Sequence, residues 1–403
     1  MSPARSPAAG VAAPGSPASL RQANQRRVIA AVRSLASAGV DATQAEIART
    51  TLLAPATISN IVKELADVGL VETRGGAGRR GTTVRIARHA GLVVGLDFGH
   101  SHLRVALGDL AGDLLDERTS RLPNDHDHDE GLRLAVTMLE GLLGDTPEGD
   151  IESVRAIGLG LPAPIGPDGI IAAPSVLPGW VGVHAQDRTE DAFGRPVWVD
   201  NDANLGALAE SRIGLGRGHR CMAYLKVSSG VGAGIVIDGE LFHGGAGTAG
   251  EIGHLTVDEA GPVCRCGSRG CLEAYTSAGH IRHLLRDRLP DATIGEIVAA
   301  AHRGDIAASR VLEDAGRHLG AAVAALANLM NPTCLVVGGE MAAAGDILLD
   351  PMRQGVRRHA LEFVASSLTI STSVLGERAS ALGALALALD RAELPLPSSV
   401  SAG

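Results

Sequence analysis

Three of the chain's five cysteines, Cys264, Cys266 and Cys271, fall within eight residues, and His254 precedes the first of them by ten positions. Three thiolates and one imidazole make a full donor set for a tetrahedral Zn²⁺ ion, and a shell closed by protein ligands leaves no position for a reactive water. The chemistry predicted is therefore structural metal binding. Gly267 and Gly270 permit the sharp turns that bring Cys266 and Cys271 to one ion. Carboxylates Glu251 and Glu273 bracket the ligands. A second polar group, Asp200-Asn201-Asp202-Ala203-Asn204, follows the apolar run Val197-Trp198-Val199, where a chain leaves a sheet. Such side chains suit sugar hydroxyls, because Asp accepts hydrogen bonds and Asn both accepts and donates. An Asx turn opening a helix is the alternative use of Asn201.

The elements that would position these groups fall into three stretches. Residues 1–19 are mostly Ala, Pro, Ser and Gly and are expected to form a disordered tail, and 393–403 a second flexible tail. From Leu20 to about Ala38, Val28, Ile29, Val32 and Leu35 recur at a helical period. Asp41 or Thr43 is placed to cap a short helix over 44–51, and Pro55 fits the first turn of a third helix with Ile58, Ile61, Val62 and Leu65 facing inward. Leu70-Val71-Glu72 and Thr82-Thr83-Val84-Arg85-Ile86 read as strands around a glycine-rich tip bearing Arg79 and Arg80. Three helices and a hairpin over 20–89 predict a winged helix-turn-helix. Its third helix would enter the major groove, with Thr57, Ser59, Asn60 and Lys63 outward, while Arg79 and Arg80 reach the DNA backbone or minor groove.

Beyond residue 90 the texture becomes α/β. Leu92–Gly99, His102–Leu107 and Asp113–Arg118 read as a meander, with further strands at Val154–Gly160 and Val197–Asp200. A second strand–turn–strand set starts near Met222, which suggests a duplicated α/β architecture with a cleft between lobes at 90–204 and 205–376. A helix over 377–392 is expected to return to the first lobe. Cys221 and Cys334 read as core, and the run Asn124–Asp129, with His126 and His128, reads as a solvated polar loop.

The run Glu251-Ile252-Gly253-His254, followed by Cys264-Arg265-Cys266-Gly267-Ser268-Arg269-Gly270-Cys271-Leu272-Glu273, is similar to the signature of the ROK family of repressors, open reading frames and sugar kinases. The glycines from Ser229-Gly230-Val231-Gly232-Ala233-Gly234 through Gly250 resemble that family as well. The resemblance covers roughly 91–392. It implies an actin-like, hexokinase-type fold, and a sugar pocket formed by Asn201, Asp202, Glu251, His254 and Glu273. His254 would then place one ring nitrogen on zinc and the other toward a hydroxyl. In the kinase members Asp202 would be the catalytic base that takes the hydroxyl proton during attack on ATP. The nucleotide motifs depart from that pattern. The first phosphate loop, roughly D-x-G-G-T-K in the kinases, reads Asp97-Phe98-Gly99-His100-Ser101-His102, and Val336-Val337-Gly338-Gly339 continues with Glu340. Both changes weaken ATP binding, so ATP is not expected as a cofactor.

Charge separates the same parts. Residues 1–90 hold twelve Lys and Arg against five acids, a surplus of seven on a chain whose net charge is −9, so the remainder carries −16. A basic module on an acidic body fits contact of the first module alone with a polyanion. Aromatic residues are only 2 %, so the core must be aliphatic. No apolar run is long enough to span a bilayer, and clustered thiols suit a reducing cytoplasm. The expectation is a sugar-responsive DNA-binding regulator, a repressor. It would bind operator DNA and a sugar or sugar phosphate as a homodimer or homotetramer, sugar-driven lobe closure altering the spacing of its DNA-binding heads. The alternative is an ATP-dependent hexose or N-acetylhexosamine kinase with a DNA-binding appendage.

Overall fold

The computed structural model describes residues 17–37, 40–75, 81–123, 126–147, 149–166, 169–171 and 177–394. Of the tails expected over 1–19 and 393–403, residues 1–16 and 395–403 lie outside them, as do Arg79 and Arg80, whereas Pro17–Ser19 belong to the first helix and not to a disordered tail. The described residues form two compact units.

The first unit opens with α1 (Pro17–Ser37), α2 (Gln44–Thr51) and α3 (Pro55–Asp67), then β1 (Val71–Arg74) and β2 (Thr83–Ile86). Thr43, of the two capping candidates, accepts a hydrogen bond from the Glu46 amide and closes the first turn of α2. Pro55 occupies the start of α3, where a missing N–H costs nothing. Val28, Ile29 and Val32 of α1, Ile47 of α2 and Ile58, Ile61, Val62 and Leu65 of α3 are all buried, so the helical periods converge on one aliphatic core. The hairpin is antiparallel from Val71↔Ile86 to Arg74↔Thr83. This unit also takes in Gly108–Leu114, where the Leu110 carbonyl accepts from Arg33 at 3.2 Å and Asp113 meets Arg88 at 3.7 Å.

The second unit contains two five-stranded sheets of the same topology. Its first half runs β3 (Leu92–Phe98), β4 (His102–Asp109), β5 (Leu114–Arg121), α4 (His128–Gly144), β6 (Val154–Leu161), α5 (Ala185–Phe193), β7 (Val197–Asn201) and α6 (Asp202–Ile213). The second half runs β8 (Cys221–Val227), β9 (Val231–Ile237), β10 (Glu240–Leu241), α7 (Glu273–Thr276), α8 (Ala278–Leu285), α9 (Ile294–His302) and α10 (Ile306–Met330), followed by β11 (Cys334–Gly338), α11 (Asp346–His359), α12 (Glu362–Ser367), β12 (Thr369–Thr372) and α13 (Ala379–Arg391). The strand orders β5-β4-β3-β6-β7 and β10-β9-β8-β11-β12 repeat one pattern. In each, the last pairings are parallel: β6 with β7 in the first, and β11 with both β8 and β12 in the second. Parallel strands leave their carboxyl ends at one edge, where irregular loops collect polar groups. Asp200 and Asn201 stand at that edge of the first sheet, opposite Gly160 and Leu161.

Helix α13 packs on the first sheet with almost no side chain between. A Cβ at Gly158 would collide with the Ala384 carbonyl, and one at Gly383 with the Leu205 carbonyl of α6. The glycines are therefore what permit this approach. One stretch differs from its sequence reading. His126 is 3 % exposed, not solvated. Its ring stacks on Phe98 at 6.2 Å and its Nδ1 lies 3.0 Å from the Pro123 carbonyl, while Trp180 meets Phe98 edge-on at 5.3 Å. His128 Nδ1 is 2.8 Å from the Gly179 carbonyl, and Asp127 caps α4 through the Asp129 amide. Of the run read by composition as a loop, Asn124 and Asp125 lie outside the described residues, and His126–Asp129 lead into α4 and pack against aromatic rings. Cys334 is buried as expected, whereas Cys221 is half-buried.

Gly158→Ala is expected to lower unfolding stability by about 1–3 kcal/mol, because the added methyl must push α13 off the sheet. Equilibrium urea denaturation checks this; an unchanged midpoint would mean that the helix has room to move.

Candidate functional site

The two glycines of the cysteine loop do what the spacing requires. Gly267 and Gly270 both lie at positive φ, 90° and 66°, and the chain folds so that His254, Cys264, Cys266 and Cys271 present their ligand atoms within 4.8 Å of one another. The Cys266 and Cys271 sulfurs are 3.7 Å apart. A tetrahedral ion with Zn–S bonds of about 2.3 Å needs an S···S edge of about 3.8 Å. His254 Nδ1 stands 3.8 Å from the Cys264 sulfur. The four groups thus fit a tetrahedral metal, and the residues present are able to hold one. His254 Nε2 points the other way, 3.8 Å from a Glu251 oxygen.

Glu251, His254 and Glu273 line one cavity of about 420 Å³ together with Asn201 and Asp202. All five residues of the expected sugar pocket are therefore brought to a single space, of a size that suits small ligands. Asn201 has two jobs there. Its Oδ1 caps α6 by accepting from the Ala203 amide at 2.8 Å, and its Nδ2 donates to the Ala163 carbonyl at 3.2 Å. The Asx turn is present, inside the pocket wall. Burial and the nearby carboxylates of Glu273 and Asp202 push Glu251 up to about 7, so it changes charge near neutrality.

Two partners were not legible from motifs. Arg265, between two of the clustered cysteines, grips Glu273 with one edge of its guanidinium, Nε to Oε1 at 2.7 Å and Nη2 to Oε2 at 2.8 Å. The Val231 amide donates to the same Oε2 at 3.0 Å. The cysteine loop therefore orients Glu273 through an arginine fork. Lys226, on β8, places Nζ 2.7 Å from Asp202 Oδ2 and 3.2 Å from the Ser380 hydroxyl. Burial works against its charge, but Asp202 and Asp97 more than offset this and raise it above the ordinary lysine value. The available signal was a lone lysine in the apolar strand Met222-Ala223-Tyr224-Leu225-Lys226-Val227. Asp200 is also engaged, with Oδ2 2.7 Å from His243 Nε2 and Oδ1 accepting from Asn204 at 2.8 Å.

The loops expected to meet a nucleotide line the same cavity. His100 stands in the first, and burial and Arg265 depress its pKa, keeping the ring neutral. Asp97 is fully enclosed; burial opposes its ionisation, but its bond to His102 at 3.3 Å and Lys226 hold its pKa down. The parallel register puts Gly338 beside Lys226, and the next turn carries Glu340 to Ser228, whose hydroxyl donates to it at 2.8 Å. The second phosphate loop is thus already occupied by a carboxylate.

In the first unit, Ser59, Asn60 and Lys63 are exposed on α3 and Thr57 is half-buried, opposite the Ile58–Leu65 stripe.

Residues 93–391 match the ROK family. This chain belongs to the ROK family. Residues 22–81 match the MarR family, the winged-helix type already seen in the first unit. The chain is 29 % identical to the xylose repressor of Caldicellulosiruptor bescii over 83 % of this chain and 88 % of that one. It is 34 % identical to a glucokinase of Halalkalibacterium halodurans over 72 % of this chain and 92 % of that one. Among solved structures, a ROK family transcriptional regulator homologous to the E. coli MLC protein superposes with a TM-score of 0.76 at 27 % identity, covering 92 % of this chain and 96 % of that one. A ROK domain behind a MarR-type winged helix is the organisation of the sugar-responsive transcriptional regulators of this family.

Cys266→Ser is expected to cost the protein most of its bound metal and to loosen Glu273. Elemental analysis of the purified variant decides it; full metal content would remove Cys266 from the ligand set.

Proposed function

We propose that this ROK protein is a cytoplasmic transcriptional repressor whose operator affinity is set by a sugar bound in the cleft, with a structural Zn²⁺ held by His254, Cys264, Cys266 and Cys271. The observation that carries the reading is the presence in one chain of a winged helix and a ROK cleft whose Asp202 is tied to Lys226. Ser59, Asn60 and Lys63, with Thr57, read the major groove, and Arg79 and Arg80 contact the DNA backbone. Asn201, Asp202, Glu251, His254 and Glu273 hold the sugar by accepting and donating to its hydroxyls. Zinc supplies no reaction; it fixes the loop from which Arg265 sets Glu273. The functional assembly is a homodimer or homotetramer, because paired heads match symmetric half-sites.

ATP-dependent phosphorylation is disfavoured by the same groups. A catalytic base must be free to take a hydroxyl proton, and Asp202 is paired with a buried ammonium. His100 takes the place of a glycine in the first phosphate loop, and Glu340 places a carboxylate against Ser228. No helix among the described residues is long and apolar enough to cross a membrane.

The test is operator selection from genomic fragments with the zinc-replete protein, followed by titration with glucose, mannose, xylose and N-acetylglucosamine. Release of a selected fragment by one of these sugars is the expected result. Sugar-dependent ATP turnover at an ordinary kinase rate, about 1–100 s⁻¹, would replace this reading with an enzymatic one. Two variants separate the parts. Glu251→Gln should retain operator binding and blunt the sugar response; an unaltered inducer curve would remove Glu251 from the pocket. Lys63→Ala should weaken binding to all DNA similarly and lower the salt slope by about one unit if it meets a phosphate.

A further inference from the structure

The three cations of the inner cleft, Lys226, Arg265 and Arg104, are already matched. Lys226 is held by Asp202 and Arg265 by Glu273. Arg104 lies between Glu117 at 3.5 Å and Glu377 at 3.9 Å. His100 also lines the cavity, but its ring is neutral, and Arg121 stands at the exposed rim. Asp97 and Glu340 remain as carboxylates with no guanidinium or ammonium bonded to them among the described residues, and Glu251, pushed up to about 7, adds only part of a charge near neutrality. The inner cleft therefore carries an excess of negative charge. Lys226 has three N–H donors and directs two of them to Asp202 and Ser380, which leaves one for an incoming oxygen.

Building on the sugar-sensor reading above, we propose that Lys226 is a specificity-determining residue and that, with Asp202, it sets the cleft for an uncharged sugar rather than a sugar phosphate. A hydroxyl suits this pair because it donates to the carboxylate and accepts from the ammonium at once. A phosphate ester accepts only, and brings an added charge of about −1.5 to −2 at neutral pH. To bind tightly it needs unpaired arginine or lysine donors. Here each inner cation would first have to leave its carboxylate, stranding that carboxylate beside a new anion. Like charges brought together in this way oppose binding and give discrimination. The arrangement favours a neutral aldose or N-acetylated aldose.

The experiment is isothermal titration of the full-length, zinc-replete protein with glucose, mannose, xylose and N-acetylglucosamine, each paired with its terminal phosphate ester. The expected result is a neutral sugar that binds at least about tenfold more tightly than its own ester. An ester that binds as tightly as its parent, or more tightly, overturns the ligand class while leaving the sugar-sensor reading in place. Silence from both members of every pair overturns the class and the sensor reading together. Asp97→Asn removes one inner charge at nearly constant shape and keeps an acceptor for His102. It should narrow the gap between the two forms by about threefold or more. A folded Asp97→Asn protein with an unchanged ratio would show that shape sets the preference, which overturns the charge argument. If that variant fails to fold, the paired titration of the unaltered protein still decides the ligand class.

Discussion

The buried bond between Lys226 and Asp202 joins parts of the second unit that the chain itself keeps apart. Lys226 belongs to β8 of the second sheet, Asp202 begins α6 where the first sheet ends, and Ser380, which donates to the Asp202 carbonyl at 3.0 Å, belongs to α13. Two sheets and the returning helix thus share one polar junction. Ion pairs of this kind gain little net stability against an apolar replacement, but removing one partner leaves a charge stranded in low dielectric and is strongly destabilising. The junction therefore fixes geometry more than it adds stability. Asp202 and, beside it, Asp97 outweigh the cost of burial and keep the lysine charged.

The cysteine loop shapes another side of the same cavity. A loop of glycines and cysteines has little apolar surface of its own to bury, and a metal held by its four donors would supply the missing constraint. Its rigidity is passed to the ligand-facing side through Arg265, whose fork leaves Glu273 a single orientation. His254 links the two functions within one ring, one nitrogen toward the thiols and one toward Glu251.

What the sequence made legible was local or repetitive. The Cys₃His cluster, the inward stripe of α3 and the duplicated strand pattern depend on spacings along the chain, and spacing is what a linear reading measures. Lys226 with Asp202, Arg265 with Glu273 and Glu340 with Ser228 depend on distances across the fold. Of these, only the middle pair lies close in sequence, and even there nothing in the spacing says that the side chains face each other. His126 was misread for a different reason. Polar composition suggested a loop, but Phe98 and Trp180 offered an apolar wall on which an imidazole packs well. The tip Gly108–Leu114 joins the first unit through backbone and charged contacts that no hydrophobic period reports.

The scarcity of aromatic residues has an optical consequence. The chain has two tryptophans, and both lie in the first half of the second unit. Trp180 is fully buried against Phe98, the last residue before the loop that starts at Gly99. Trp198 is half-buried on β7, three residues before Asn201. Indole emission from this protein therefore carries almost no background from elsewhere, and it reports on the two segments that enter the cleft from the first sheet. Rearrangement of either segment would therefore register as a change in indole emission.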